Sequence, residues 1–277
     1  MVLPVEAERG RALTAHWGPW LRRYHGPPVR PGATLVCFPH AGGAASFFRG
    51  HSEALSGRFD VLAVQYPGRQ DRYGERCPET VAELADGIAG AVTEAVTGGG
   101  PLAFFGHSLG AVLAFETALR LESHRSGPAP SLLFASARRA PGLHRADRSP
   151  DGTGPRELHR LDDHELAQEL RRLGGTDERL LADPRLFAKV APAIRADFAA
   201  SETYRAEDDS RLRCRIVAMV GDRDPRVGLE QAAAWRDHTT GAFDLRVFPG
   251  GHFYLTEHER EVLSTLSVQL DRADEAA

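Results

Sequence analysis

The pentapeptide Gly106-His-Ser-Leu-Gly110 contains the residue best suited to nucleophilic chemistry, Ser108. It directly follows an apolar run at 102–105 and directly precedes a helical pattern that starts at Leu109. A serine between a strand and a helix, with glycine two positions away on each side, is typical of a nucleophile elbow. The sharp turn leaves no room for side chains at the two glycine positions, and it strains the backbone of the serine itself. This context favours a nucleophile over a serine in an ordinary Gly-rich turn.

A serine hydroxyl is a weak nucleophile until a general base takes its proton, and His252 is the best candidate among the twelve histidines. It lies in Phe248-Pro-Gly-Gly-His252, a Gly-rich turn between the last predicted strand and the last predicted helix. The chain order Ser, acid, His of α/β-hydrolases excludes His40, which precedes the serine. His107 is expected to be structural, and His258 falls inside the last predicted helix. Four others lie on charged stretches that we expect to be solvated: His124, His144, His159 and His164.

A third group must orient the histidine, and the segment Val220-Gly-Asp-Arg-Asp-Pro225 offers two carboxylates for that role. It follows an apolar run at 216–220, as expected of a loop at the end of a strand. The loop at 136–141 is the other place where such hydrolases carry the acid, and it has no carboxylate. The acid is therefore predicted in the later loop, although spacing does not choose between Asp222 and Asp224.

An oxyanion hole needs two backbone N–H donors, one from the residue after the nucleophile and one from a loop after an early strand. The first is Leu109. The Gly-rich loop Phe38-Pro-His-Ala-Gly-Gly43 is suitably placed for the second, with Ala41 as the predicted donor. A nucleotide-binding loop is the alternative, but the spacing G-x-G-x-x-G is missing and no acidic residue closes the second strand.

Short apolar runs that alternate with helical patterns must position these residues. Strands are predicted at 34–38, 60–65, 102–105, 132–135, 216–220 and 245–248. Helices are predicted at 47–55, 78–96 (with Pro78 in its first turn), 109–122 and 229–235, and at the end of the chain around Val262, Leu266 and Leu270. Strands that are apolar on both faces indicate a mostly parallel central sheet with helices on both faces, an α/β fold.

The sheet pattern is interrupted at about 142–205 by a charged segment that becomes purely helical after Pro155. Its apolar residues form two helical stripes: Leu166, Leu170 and Leu173, then Leu186, Val190, Ile194 and Phe198. Ligands bind at the strand ends of such sheets, so we interpret this insertion as a lid rather than an additional helical layer. The 277 residues are then one domain, 1–277, with a helical lid insertion.

Composition excludes several other functions. The net charge of −4 gives no basic field for nucleic acid, and the single lysine, Lys189, follows no Gly-rich loop that could bind a phosphate. The three cysteines are far apart, which argues against a zinc or iron–sulfur site and for a reducing compartment. The chain shows neither a signal-peptide core nor an apolar run of about 18 residues. We therefore expect a cytoplasmic protein with no metal, no cofactor and no membrane partner.

Several segments together resemble a known family, the discrete type II thioesterases that accompany polyketide synthases and non-ribosomal peptide synthetases. The match runs from about residue 20 to residue 255. The triad motifs are shared by many hydrolases, whereas the segments at 66–69, 138–141 and 195–198 are more specific. The segments are Cys37-Phe-Pro-His-Ala-Gly-Gly43, Gln65-Tyr-Pro-Gly-Arg69, Gly106-His-Ser-Leu-Gly110, Ala137-Arg-Arg-Ala-Pro141, Leu173-Gly-Gly-Thr176, Arg195-Ala-Asp-Phe198, Glu202-Thr-Tyr204, Gly221-Asp-Arg-Asp224 and Gly250-Gly-His-Phe253.

The resemblance implies an α/β-hydrolase fold with Asp224 as the acid of a Ser108–His252–Asp224 triad. It also implies hydrolysis of acyl groups from the phosphopantetheine thiol of acyl or peptidyl carrier proteins, which frees blocked synthases. The chain has no carrier-protein serine motif, so we expect the carrier protein to be a separate partner. The protein itself is expected to be a monomer. The stretch 143–157 departs from the family by its length, which affects the lid entrance. The alternatives are a general carboxylesterase, a chain-terminating or macrocyclising thioesterase, and a scaffold that lacks activity.

Overall fold

The computed structural model describes residues 15–26, 31–97, 100–123, 127–143, 157–207 and 209–275. Eight strands form one sheet in the order β1-β2-β4-β3-β5-β6-β7-β8. The strands β3 to β8 are parallel to one another, whereas β1 and β2 join one edge in antiparallel fashion. The strands are β1 Ala15–Trp17, β2 Leu21–Arg23, β3 Thr34–Phe38, β4 Asp60–Val64, β5 Leu102–His107, β6 Leu132–Ser136, β7 Arg215–Gly221 and β8 Phe243–Phe248.

Helices connect the parallel strands and cover both faces of the sheet. They are α1 Arg49–Leu55, α2 Val81–Ala95, α3 Leu109–Ser123, α4 Asp163–Leu173, α5 Glu178–Ala182, α6 Pro184–Thr203, α7 Leu229–Ala233, α8 Tyr254–Glu257 and α9 Glu259–Glu275. Short 3-10 turns precede α1 at Ala45–Phe48 and follow α7 at Ala234–His238. The predicted mostly parallel α/β sheet is confirmed.

Alternate residues of each central strand enter two different apolar layers. In β3, Val36 packs with the layer formed by α2 and α3, and Leu35 packs with the layer formed by α1 and α9. Both residues are fully buried. Because side chains alternate across a strand, apolar residues at every position bury both faces at once, and this is why the central strands are apolar throughout.

The structure corrects the predicted start of the second helix. Pro78 does not lie in its first turn, because α2 begins at Val81. Thr80 caps the helix instead, and its side chain accepts a hydrogen bond from the Glu83 N–H group at 3.2 Å. A capping hydroxyl satisfies a first-turn amide, so the helix begins directly after Thr80 rather than at Pro78.

The helices α4, α5 and α6 lie between β6 and β7 and share an apolar cluster of their own. Leu166, Leu170, Ile194 and Phe198 are buried in this cluster, as the stripes predicted, but Leu186 is 44% exposed. Leu186 lies in the first turn of α6, where the next residue, Phe187, is the one buried in the cluster. The Pro-, Asp- and Arg-rich part of the predicted insertion falls at 144–156, outside the described residues.

None of the helices in the described ranges has both the length and the apolar character needed to cross a membrane.

Candidate active site

Ser108 occupies the sharp turn between β5 and α3, with a backbone φ of 56°. A positive φ is rarely adopted by a residue with a side chain. A Cβ atom added at Gly106 would overlap the backbone of Gly110, and one added at Gly110 would overlap the Phe38 carbonyl. The predicted steric role of both glycines is confirmed, because only hydrogen fits at either position.

Ser108, His252 and Asp224 form a hydrogen-bonded series. The His252 Nε2 atom lies 3.1 Å from the Ser108 hydroxyl oxygen, and its Nδ1 atom lies 2.8 Å from Asp224 Oδ2. A carboxylate only accepts, so Nδ1 carries the proton and Nε2 is free to accept the serine proton. The Asp224 carboxylate is shut off from solvent and His252 is 5% exposed. This arrangement can activate a serine hydroxyl.

The structure distinguishes the two aspartates that spacing left open. Asp222 Oδ1 accepts a hydrogen bond from the Gly250 N–H group at 2.9 Å, and half of its side chain is exposed. Asp224 instead contacts His252, and its second oxygen accepts from the Arg226 N–H group at 2.8 Å. The orienting contact therefore belongs to Asp224.

Two further histidines flank His252, and sequence reasoning gave neither of them a role at the site. His40 is buried between the rings of Phe47 and Phe253, at centroid distances of 4.7 and 4.8 Å. Burial lowers the pKa of His40 to about 3, with His252 and Arg69 adding to the effect. His40 is therefore neutral at physiological pH.

His107 is fully buried, in agreement with its predicted structural position. Its Nδ1 atom lies 2.9 Å from the Ser136 hydroxyl, which lies 2.6 Å from the Tyr254 hydroxyl. Burial lowers the pKa of His107 well below its ordinary value, and the nearby His252 and His40 lower it further. Both neighbours of His252 are thus uncharged, which leaves Asp224 as its charged partner in this part of the site.

The remaining histidine predictions have mixed outcomes. His164 is exposed as expected. His159 was expected in solvent, but it is half-buried because its ring lies 2.7 Å from a Glu202 oxygen. His258 was expected inside the last helix, but it lies between α8 and α9. His124 and His144 fall outside the described residues.

The two predicted oxyanion donors lie on either side of Ser108. Leu109 is the first residue of α3, where backbone N–H groups have no intrahelical acceptor. Ala41 lies in the turn after β3, which is closed by a hydrogen bond from the Gly43 N–H group to the His40 carbonyl at 2.9 Å. Ala41, Ser108 and His252 line the same cavity of about 20 Å³. The donor roles of Ala41 and Leu109 remain predictions.

A buried ion pair fixes the same turn to α6. The Arg69 guanidinium donates to both Asp197 oxygens at 2.6 and 2.8 Å, and also to the Gly43 carbonyl at 2.9 Å. Asp197 in turn accepts from the Gly42 N–H group at 2.7 Å. Burial alone would lower the pKa of Arg69, but Asp197 raises it above its ordinary value. Sequence reasoning noted both segments but gave this pair no role, because its members are 128 residues apart.

No cluster of three or more His, Cys, Asp or Glu side chains within the described ranges could hold a metal ion. Cys37, Cys77 and Cys214 are all free thiols. A larger cavity of about 610 Å³ lies beside α2 and α3, and its lining includes Glu116 and Arg120 but no member of the hydrogen-bonded series.

Known proteins share both the sequence and the fold. The family model of the thioesterase domain matches residues 33–270. Thioesterase PikA5 from Streptomyces venezuelae is 48% identical over 260 residues, which cover 94% of this chain and 88% of that protein. The solved structure of the type II thioesterase BorB, from the borrelidin biosynthetic cluster, has a TM-score of 0.78 at 42% identity and covers 93% of this chain and 98% of its own.

The likeness extends to a more distant solved structure. YbtT, the type II thioesterase from the yersiniabactin NRPS/PKS biosynthetic pathway, has a TM-score of 0.78 at 29% identity. The match covers 90% of this chain and 96% of that one. The fold is therefore shared along nearly the whole length of both proteins.

Proposed function

This chain belongs to the thioesterase domain family, and we propose that it edits the acyl groups bound to acyl carrier proteins by hydrolysing them. It is a serine hydrolase of the type II class in polyketide and non-ribosomal peptide biosynthesis. It has the α/β-hydrolase fold of its relatives. In this proposal the substrate is an acyl group in thioester linkage to the phosphopantetheine arm of a separate acyl or peptidyl carrier protein. The product is a free acid, and the carrier regains its thiol.

The first half of the reaction acylates Ser108. His252 Nε2 takes the hydroxyl proton while the serine oxygen bonds to the thioester carbonyl carbon. Asp224 stabilises the imidazolium that forms. The N–H groups of Leu109 and Ala41 stabilise the negative oxygen of the tetrahedral intermediate. The carbon–sulfur bond then breaks, and His252 returns the proton to the departing thiolate.

The second half regenerates the enzyme. A water molecule attacks the acyl-serine carbonyl, and His252 takes one of its protons as the oxygen–carbon bond forms. The ester bond to Ser108 breaks, and the proton passes back to the serine oxygen. The acid is released, and one water molecule is consumed for each thioester cleaved.

The hydrogen-bonded series from Asp224 through His252 to Ser108 is the observation that carries this proposal. A scaffold without activity would have no use for a strained serine backbone, a buried carboxylate and an imidazole joined at hydrogen-bond distance. The similarity to thioesterases over nearly the whole chain favours a thioester over a simple ester substrate.

The proposal is tested by comparing kcat/KM for three substrates with one common acyl group: the acyl-carrier protein, the acyl-pantetheine and an aryl ester. We expect the carrier-bound thioester to be hydrolysed most efficiently, with free acid as the product. Equal efficiency on all three substrates would indicate a general carboxylesterase, and a cyclised product would indicate a chain-terminating enzyme. The Ser108→Ala variant provides the background rate, since it removes only the hydroxyl.

A further inference from the structure

Arg138 lies in the wall of the candidate active site and connects it to a second cavity. It follows Ala137, whose backbone φ is 50°, directly after the end of β6. Its side chain lines the 20 Å³ cavity that also contains Ser108 and His252. It lines an adjoining cavity of about 40 Å³ as well. No step of the proposed mechanism uses this arginine.

The hydrogen bonds of the Arg138 guanidinium go to neutral groups. Nη1 donates to the Ser201 hydroxyl at 2.8 Å, and Nη2 donates to the Ser201 carbonyl at 3.1 Å. The Nε atom is shut off from solvent, and it has no hydrogen-bond partner among the described residues. A cation withdrawn from water is costly unless an anion compensates for the lost hydration.

Arg69 is a buried cation of the same molecule whose charge is compensated by a carboxylate. Arg69 is the more buried of the two arginines, and both of its terminal nitrogens donate to the Asp197 carboxylate. Arg138 is half-buried and has Ser201 in the position that Asp197 fills for Arg69. The comparison indicates that Arg138 is suited to an anion that the described residues do not supply.

Two other arginines increase the positive potential at the same place. Arg139 and Arg226 line both cavities together with Arg138. Burial, followed by the nearby positive charges of Arg139 and Arg226, lowers the pKa of Arg138 to about 9, although Tyr204 and Glu202 act in the opposite direction. Like charges at close range repel one another, so the cluster would be stabilised by a bound negative group.

One carboxylate also lines the second cavity, but it has other partners. The Glu202 oxygens accept from the N–H groups of Leu158 and His159 at 3.0 and 3.3 Å, and one oxygen lies 2.7 Å from the His159 ring. Arg205 lines the same cavity. Among the described residues of this lining, Glu202 is the one carboxylate, and it is engaged with the segment 158–159.

We propose that Arg138, together with Arg139 and Arg226, forms an anion-binding subsite for the thioester substrate beside Ser108. The subsite would take the oxygens of a phosphate or carboxylate group, for which the planar guanidinium is well shaped. This rests on the proposed function, because the anion is carried by the thioester. It has two possible sources: the phosphate of the phosphopantetheine arm, or a free carboxylate on the acyl group.

Three small thioesters separate these sources: butyryl-pantetheine, butyryl-phosphopantetheine and succinyl-pantetheine. The first is uncharged, the second adds only the phosphate, and the third adds only a carboxylate at the same acyl length. We expect the wild-type protein to give a higher kcat/KM for one of the two charged thioesters than for the uncharged one. We expect Arg138→Gln to lower that ratio by roughly tenfold or more, because a charged hydrogen-bond partner is lost.

Two other variants control the experiment. Arg138→Lys keeps the charge but not the planar fork, so it should retain part of the ratio. Arg246→Gln removes an equal charge from an exposed position on β8, outside both cavity linings, and should leave the ratio unchanged. The ratio measured on the wild-type protein tests the proposal even if the Arg138 variants fold poorly.

Each outcome has a distinct meaning. A preference for the phosphorylated thioester that depends on Arg138 identifies the arm as the source of the anion, and the same result for the succinyl thioester identifies the acyl group. Equal kcat/KM for all three thioesters in the wild-type protein overturns the subsite, as does a preference that survives Arg138→Gln. If no thioester is hydrolysed at all, the proposed function itself fails.

Discussion

Asp222 and Asp224 have the same side chain and lie two positions apart, yet only one of them faces His252. The difference arises from the turn after β7. That turn directs Asp224 toward the imidazole at 2.8 Å and leaves Asp222 to accept from the Gly250 N–H group. Sequence spacing predicted that a carboxylate would lie in this loop, but only the turn geometry determines which one, so the sequence could not choose.

The two aspartates form a matched pair for mutation. We expect Asp224→Asn to lower kcat by about 10³- to 10⁴-fold, because the amide cannot hold the imidazole in the productive tautomer or stabilise its charged form. Asp222→Asn should change kcat by no more than a few-fold, since its side chain is half exposed and does not contact His252. Steady-state kinetics on an acyl-pantetheine measures both. A similar loss in the two variants would contradict the assignment of Asp224.

His40 gives the protein a dependence of stability on pH. Its pKa in the folded protein is about 3, below the ordinary value of 6.5, so the unfolded chain binds a proton that the folded chain does not. The free energy of unfolding should therefore fall as the pH falls from about 6.5, by up to about 1.4 kcal/mol per pH unit for this one group.

Replacement of His40 should make that dependence less steep. We expect His40→Gln to reduce the slope of unfolding free energy against pH between pH 6 and pH 5 by about 1 kcal/mol per unit, measured by urea denaturation. The absolute stability of the variant does not affect this comparison of slopes. His164→Gln, at an exposed position on α4, serves as the control. An unchanged slope in His40→Gln would show that His40 is not held neutral by the fold.

At the scale of elements, local signals predicted the central sheet well but failed for short polar pieces. The strands β3 to β7 contain continuous apolar runs and β8 alternates apolar with charged residues, so the sequence pattern found all six to within two residues at each end. β1 and β2 were missed because each has three residues and their sequences, AHW and LRR, carry no apolar run. β2 pairs with β4 and β1 pairs with β2 at the sheet edge, and the contact with β4 is a tertiary interaction that no local pattern records.

The ion pair between α6 and the turns after β3 and β4 is an interaction of the same long-range kind. Asp197 on α6 binds Arg69 and the Gly42 N–H group, next to the predicted oxyanion donor Ala41. It therefore couples the placement of a helix outside the central sheet to that of the loop predicted to supply an oxyanion donor. Motif resemblance indicated that the two segments matter, but contact between residues so far apart in the chain required the folded structure.

Mutation of this pair should separate its effect on stability from its effect on rate. Asp197→Asn leaves the buried Arg69 charge without a compensating negative charge, so we expect a loss of about 3–5 kcal/mol in unfolding free energy. The double variant Arg69→Met/Asp197→Leu removes both charges and should recover most of that stability. The kcat of this double variant should nevertheless be lower than that of the wild-type protein, because the Gly42 N–H group has lost its acceptor. Recovery of both stability and kcat in the double variant would exclude a positioning role.

At the scale of the whole molecule, the space beside Ser108 is too small for the proposed substrate. A cavity of about 20 Å³ holds roughly one water molecule, far less than an acyl thioester. Phe198 on α6 forms part of its wall. We therefore expect the helical segment 157–205, the described part of the predicted lid, to move away from the sheet when substrate enters.

Hydrogen exchange measured by mass spectrometry tests this motion. We expect a long-chain alkylphosphonate bound covalently to Ser108 to speed amide exchange in α4, α5 and α6, because the chain keeps these helices apart from the sheet. Exchange in β5, β6 and β7 should stay the same, since these strands lie in the core. A methylphosphonate on the same serine is the matched control, and it should alter exchange much less. Identical exchange with the two phosphonates would mean that the acyl chain enters by a route that leaves these helices in place.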